Sequence, residues 1–205
     1  MIGLIFATIW EARPFLLASQ AQVIEKTPFA IYQSDAHAQL LVAVSRIGKV
    51  AAAATAQALI LTHKVTRLIN AGACGALHNG EGLAIGSLLQ ISEALEGDHE
   101  VFGKRPQPIA CTLSASLGLP AVRLVTNDRP VFDIQTRAAL AQLGDVADME
   151  GAAVARVANY YQVPCTLIKG ITDNAQPLDR QTLLDNLNMV SEQIAQKLWG
   201  NVWRI

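Results

Sequence analysis

Charge of a single sign is missing from this sequence: 16 lysines and arginines stand against 17 aspartates and glutamates in 205 residues. That balance makes no global field to draw the chain to nucleic acid or to an anionic membrane, so a small, roughly neutral partner is expected. Cysteine is scarce too. Cys74, Cys111 and Cys165 are odd in number, far apart and set in apolar or glycine-rich runs. This excludes a disulfide framework and the paired spacing of a metal site; reduced thiols in the cytoplasm are the expectation. No apolar run is long enough to span a membrane: the start, Met1 to Thr8, lacks a basic leader and is interrupted at Glu11 and Arg13, too soon for a span or a signal peptide. Asp98-His99 sits in a polar loop with no further ligand at suitable spacing, and His37, His63 and His78 are isolated. Neither a metal nor a cofactor is expected.

What the sequence does contain is apolar bulk. With 51% hydrophobic residues the chain can bury one core, and a single domain over 1–205 is expected. Ile2 to Ala7 is a continuous apolar run, the pattern of a strand buried on both faces, and a helix follows through Leu17. The stretches Gln22 to Tyr32 and Gln39 to Ser45, split by the polar Ser34-Asp35-Ala36-His37, read as one antiparallel hairpin. Alanine-rich Val50 to Thr62 predicts a buried helix. Leu68 to Asn70 predicts a strand that runs into a small-residue loop, Ala71 to Ala76, and Ala84 to Ile91 predicts the next strand, followed by an exposed loop over Glu96 to Pro108. Further on, strands are expected at Val122 to Thr126, Val146-Ala147 and Cys165 to Ile171. Helices are expected at Asp133 to Gln142, from Asp148-Met149-Glu150 to Tyr161, and at about Asp179 to Trp199 after a polar loop at Thr172 to Pro177. This alternation predicts a three-layer α/β/α domain around a mixed sheet.

Three acids share one architectural position, since Glu11, Glu150 and Asp173 each follow a predicted buried strand. The carboxyl ends of strands form the ligand crevice of open α/β sheets, so three distant segments can converge there. Taken singly, each also has an ordinary reading. Glu11 and Glu150 fit first-turn acids at helix starts, Asp148 fits an N-cap, and Asp173 fits a turn former.

Taken together, the segments carry a resemblance. Ile2-Gly3-Leu4-Ile5 leading to Glu11, Ile47-Gly48-Lys49-Val50-Ala51-Ala52, Ile69 to Ala76, Asp148 to Ala153, and Gly170-Ile171-Thr172-Asp173 resemble, in order and over nearly the whole chain, motifs of the nucleoside phosphorylase/nucleosidase superfamily. The pattern is most like methylthioadenosine/adenosylhomocysteine nucleosidases and their futalosine hydrolase relatives. The resemblance implies a three-layer α/β/α sandwich around a mixed, partly barrel-like sheet, usually as a homodimer, and hydrolysis of a purine N-glycosidic bond. Breaking that bond builds an oxocarbenium-like sugar and an anionic base, so the site needs an acid, a base for water and a partner for the sugar. By resemblance Asp173 protonates the purine, Glu11 deprotonates water, and Glu150 holds the ribose hydroxyls beside Met149. Asp173 would then be protonated near neutrality while Glu11 stays ionised, a division that burial can enforce. Ala73, Cys74 and Gly75 would let backbone approach the ligand, and Val131 and Phe132 would lie against the purine.

Three departures stand out: Ala73 where these nucleosidases usually carry serine, Lys169 where they carry arginine, and Asp148-Met149-Glu150 in place of Glu-Met-Glu. Lysine lacks the bidentate fork of arginine, so a different hold on Glu150 is expected. Phosphorolysis is the alternative reaction. It needs cations or backbone amides around phosphate. The phosphorylases' N-terminal Gly-Asp-Pro segment and arginines are missing here, although Cys74-Gly75-Ala76 echoes their loop. A non-catalytic nucleoside-binding protein on the same fold is the other alternative.

Overall fold

The computed structural model describes residues 1–175 and 179–205. The chain opens with β1 (Ile2–Phe6), whose last four residues are buried, and turns at Thr8 into α1 (Ile9–Ala18). Thr8 and Glu11 form a reciprocal capping box there: the threonine hydroxyl accepts from the Glu11 N–H while the Glu11 carboxylate accepts from the Thr8 N–H. Next come β2 (Ala21–Glu25), β3 (Ala30–Ser34) and β4 (Leu40–Val44). The stretch Gln22 to Tyr32 is therefore not one strand. Lys26-Thr27-Pro28-Phe29 breaks it into a hairpin of its own, with a cis Thr27-Pro28 bond in the turn. The expected β3–β4 pairing lies beyond it.

After α2 (Lys49–Leu61) comes β5 (Arg67–Ala76), ten residues long. The small-residue stretch Ala71 to Ala76 belongs to this strand and is not a loop. Parallel pairing with β10 (Cys165–Asp173) satisfies its backbone, and the missing side chains make room for two carboxylates. A Cβ on Gly72 would lie 2.6 Å from Glu11 Oε1, and one on Gly75 would lie 2.6 Å from Asp173 Oδ1. The next strand, β6, spans Leu88–Glu96 rather than Ala84 to Ile91. Residues 84–87 turn instead, with Gly86 at φ +88° and Ser87 N–H bonded to Ala84 O.

Short β7 (Ile109–Ala110), then β8 (Ala121–Thr126), α3 (Ile134–Leu140), β9 (Val146–Asp148), α4 (Gly151–Tyr160) and, beyond β10, α5 (Arg180–Trp199) complete the order. The end of the expected loop Thr172 to Pro177 falls outside the described residues, while Thr172 and Asp173 close β10. The helix expected to begin at Asp148 starts at Gly151, yet the Asp148 carboxylate still accepts the Gly151 N–H at 2.8 Å.

Strands β5, β9, β8, β6 and β10 pair in turn, and β10 pairs with β5 again, closing a five-stranded barrel. The sheet continues from β5 through β1, β4, β3 and β2 as an open wing. The sheet is mixed: β9–β8, β8–β6 and β10–β5 are parallel, and β5–β9 and β6–β10 are antiparallel. Helices α1 and α5 cover one face, where Phe15 packs between Phe6 at 6.2 Å and Trp199 at 5.9 Å. Ala52, Ala56 and Leu59 of α2 and Ala152, Ala155 and Ala158 of α4 cover the other. Alanine on both helices allows this close packing. The three-layer architecture matches the expectation.

Candidate active site

At the carboxyl ends of β1, β5 and β10 the wall opens into a cavity of about 260 Å³. All nine residues singled out in the sequence line it: Glu11, Ala73, Cys74, Gly75, Val131, Phe132, Met149, Glu150 and Asp173. Their convergence has a local cause in each segment.

Glu11 is brought in by the capping box. Its Oε2 accepts from the Thr8 N–H at 2.9 Å and the Thr8 hydroxyl at 2.8 Å, and its Oε1 accepts from the Ala73 N–H at 3.0 Å. The ordinary role and the functional position thus coincide in one side chain. A carboxylate offers about four acceptor positions, so three bonds leave one for a further donor. Ala73 contributes through its backbone, which explains why a side chain without a polar atom is compatible with the position.

Asp173, 7% exposed, ends β10. Its Oδ1 accepts from the Ala175 N–H at 2.8 Å, and its Oδ2 lies 3.0 Å from the Thr172 hydroxyl. Thr172 Oγ1 is also 3.4 Å from the Cys74 carbonyl. A hydroxyl has one proton; when it goes to Cys74, the threonine oxygen can accept from a protonated Oδ2.

Glu150 stands at the head of α4 with Oε1 accepting from the Gly48 N–H at 2.8 Å. It is the N-cap residue of that helix, but its side chain makes no capping hydrogen bond there. Burial pushes its carboxyl up to about 7, the negative Asp148 and Glu11 add to the rise, and Lys169 and the Gly48 N–H oppose it. Lys169 does not hold Glu150 directly. Its ammonium pairs with Asp148 Oδ2 at 2.7 Å and donates to Asn70 Oδ1 at 2.8 Å. Burial lowers the Lys169 pKa, but Asp148 and Glu150 outweigh it and the net shift is upward. The Cys74 thiol beside them is pushed up by burial, which makes it a packing group here and not a nucleophile.

On the opposite rim Val131 is buried and Phe132 is 40% exposed. Asp128 is turned away: its carboxylate pairs with Lys49 at 3.3 Å and does not line the cavity. Asp98, expected to be merely solvated, is tied down by Lys49 at 2.6 Å and by the Asp128 N–H at 2.7 Å. Burial alone would raise its pKa, but the Lys49 bond and the Asp128 amide hold it below the usual range.

Sequence reasoning missed several contributors. Thr8 and the Gly48 amide hold the two glutamates, and Ile47, Leu183 and Leu187 give the cavity apolar wall. The i, i+4 spacing of the two leucines on the last helix was the available signal. Among the described lining residues no lysine or arginine appears, and no group of three or more potential metal ligands is found among the described residues.

Comparison with known proteins agrees with this geometry. A family model described as the Phosphorylase superfamily matches residues 2–200. A 5′-methylthioadenosine/S-adenosylhomocysteine nucleosidase of Arabidopsis thaliana is 30% identical over 167 residues, 76% of this chain; the match spans 65% of that protein's length. Among solved structures, the Helicobacter pylori 5′-methylthioadenosine/S-adenosyl homocysteine nucleosidase superposes with a TM-score of 0.89 at 24% identity, covering 100% of this chain and 98% of the other. The native futalosine hydrolase of the same organism superposes at 0.88 with 24% identity, covering 100% and 97%. At that identity the two structures speak for the fold. With the ordered motifs, the closed barrel and a family model that runs almost end to end, the chain belongs to the phosphorylase superfamily.

Proposed function

We propose that the protein is a hydrolase that cleaves the N-glycosidic bond of a purine nucleoside, with water as the nucleophile. The observation that carries this reading is the Glu11 carboxylate, held by three hydrogen bonds at the cavity wall with an acceptor position to spare. In the proposed reaction Asp173 delivers the proton on Oδ2 to the purine as the bond from C1′ to the base breaks. Glu150 accepts hydrogen bonds from the ribose hydroxyls, with Met149 packed on the sugar. Water adds to C1′ and Glu11 takes its proton, so the products are the free purine and the free sugar. Val131 and Phe132 cover the base, and Ala73, Cys74 and Gly75 bring backbone close to the ligand.

Water is favoured over phosphate by the lining. Four carboxylates, Glu11, Asp148, Glu150 and Asp173, line the cavity, and none of its described lining residues is a lysine or arginine. A phosphate dianion there would meet repulsion with no cation among the described lining residues to bind it. The apolar Ile47, Leu183 and Leu187 favour a substrate whose 5′ carbon carries an apolar-bearing group, of the methylthioadenosine, adenosylhomocysteine or futalosine kind named for the relatives. A homodimer is part of the proposal, supported by Trp10, Ile47, Val50 and Phe102, which expose 61%, 59%, 83% and 100% of their surface. A cytoplasmic setting is also part of the proposal, supported by the three free cysteines; no described helix is long and apolar enough to cross a membrane.

A panel of purine nucleosides differing only at the 5′ carbon, assayed for base release, tests the reading. Faster release from 5′-modified nucleosides than from unmodified ones is expected. Equal rates would remove the 5′ preference, and binding without release from any of them would leave a nucleoside-binding protein. Light scattering at micromolar concentration tests the dimer, and a monomer there would count against it.

A further inference from the structure

Lys169 is the one buried lysine or arginine among the described residues, with 1% of its surface exposed. β10 sets it in register with Gly72 of β5 and Leu89 of β6, within the barrel wall and beneath the cavity. Its partners are fixed from both sides. Asn70 Nδ2 donates to the Ile5 carbonyl at 3.1 Å, which leaves Oδ1 facing the ammonium. Asp148 Oδ1 accepts from the Thr126 hydroxyl at 2.5 Å, and Oδ2 accepts from the Gly151 N–H and from Lys169. Thr126 Oγ1 accepts in turn from the Ala152 N–H at 2.9 Å. The chain of bonds from Ile5 to Ala152 is complete, and two of the three ammonium protons are used in it. What remains is one N–H and the charge, which acts on Glu150 and Glu11.

A buried ion pair stabilises a fold little more than apolar side chains of the same volume would. Stability therefore does not account for a lysine here. Its place does: it is a single cation beneath four carboxylates. We infer that Lys169 and Asp148 are a pair of positioning residues that set the charge of Glu150 from beneath, the lysine favouring its carboxylate and the aspartate opposing it. The inference rests on the proposed role of Glu150 as the group that accepts from the ribose hydroxyls, which a carboxylate does with both oxygens, whereas a neutral acid carries a proton on one of them.

The Glu150 side chain accepts from the Gly48 amide at the head of α2 and shares the cavity with Asp148 of β9 and Glu11 of α1, and the charges of Asp148, Lys169 of β10 and Glu11 all act on it. Asp173 and Cys74 share the cavity from β10 and β5. Among these groups Lys169 is the only cation. Removing it makes the Glu150 proton harder to lose; removing Asp148 makes it easier. The two changes must move the titration in opposite directions.

The experiment follows the carboxyl of Glu150 by ¹³C NMR in glutamate-labelled protein, assigned by its loss in Glu150→Gln, alongside the pH dependence of kcat/KM. In the wild type a midpoint near 7 is expected; a midpoint in the ordinary carboxylate range would overturn the inference at once. Lys169→Met should raise the midpoint and move the acid limb of kcat/KM alkaline by about one unit, and Asp148→Asn should move both the other way. The double variant, which leaves no unpaired buried charge, should lie between them, and Lys169→Arg should stay near wild type. If Lys169→Met does not fold, Lys169→Gln keeps a hydrogen bond to Asp148 and carries the same expectation. A merely structural pair would lower activity at every pH without moving the midpoint, and shifts in the same direction would also overturn the inference. Failure of the ribose reading looks different: Glu150→Gln would then keep its turnover whatever the titration shows.

Discussion

Phe15 and Lys169 are both wholly buried, one between α1 and α5 and the other in the barrel wall. Phe15 packs within an apolar cluster with Phe6, Leu16 and Trp199, and its burial contributes on the order of 2–3 kcal/mol by removing surface from water. Around Lys169 the ammonium is held by Asp148 and Asn70, and the gain is a defined charge beside a cavity, not net stability. One sheet thus carries two kinds of interior. The wing and its helices hold the fold; the open end of the barrel concentrates groups that would be costly anywhere else. If this division is right, stability and turnover should separate cleanly when each region is disturbed.

The largest effect is expected on turnover from Asp173. Removing a general acid costs about 10² to 10⁴ in rate, so Asp173→Ala should lose that much on ordinary purine nucleosides and Asp173→Asn somewhat less. A nucleoside with an activated leaving group should recover much of the loss in both. Equal losses on both substrates, with melting unchanged, would remove Asp173 from the acid role. Phe15→Ala should do the reverse: about 3–5 kcal/mol of stability lost in urea unfolding, with turnover per folded molecule within a few-fold.

Glu11→Gln should lower turnover by about 10² or more, because the amide keeps the shape but takes no proton from water. Inhibitor affinity and melting temperature should change little. Activity within a few-fold of wild type would return Glu11 to its capping role alone.

The smallest effect concerns stability and pH. Glu150 titrates near 7 in the fold against about 4.5 ordinarily, so between those values the folded chain holds a proton the unfolded chain has lost. Its contribution is therefore unfavourable to folding and grows as pH rises through that window. Glu150→Gln should leave the melting temperature at pH 5 almost unchanged and raise it at pH 8. A fall at pH 8 would mean the charge is well compensated, and the contrast between the two interiors would fail there.

The sequence made some of this legible and hid the rest for physical reasons. Acids placed just after apolar runs are visible, because strand ends and ligand crevices coincide; Glu11, Glu150 and Asp173 met for that reason. The strand Ala71 to Ala76 was hidden, since small residues give no periodicity and their use, admitting Glu11 and Asp173, lies in other segments. The β2–β3 turn was hidden because Pro28 was absorbed into an otherwise alternating stretch. Lys169 was visible as a lysine where the resembled nucleosidases carry arginine, but its partner depended on how β9 and β10 meet across the barrel. Likewise the Gly48 amide reaches Glu150 across 102 residues of chain, a contact no local pattern encodes.

The central claim, that carboxylates at the mouth of this barrel drive hydrolysis, is tested most directly by incubating the protein with 5′-methylthioadenosine in phosphate-free buffer and identifying the sugar by NMR. The account predicts free adenine and free 5-methylthioribose in equal amounts, at a rate that added phosphate does not change. Base release only when phosphate is present, with a sugar 1-phosphate as product, would contradict it.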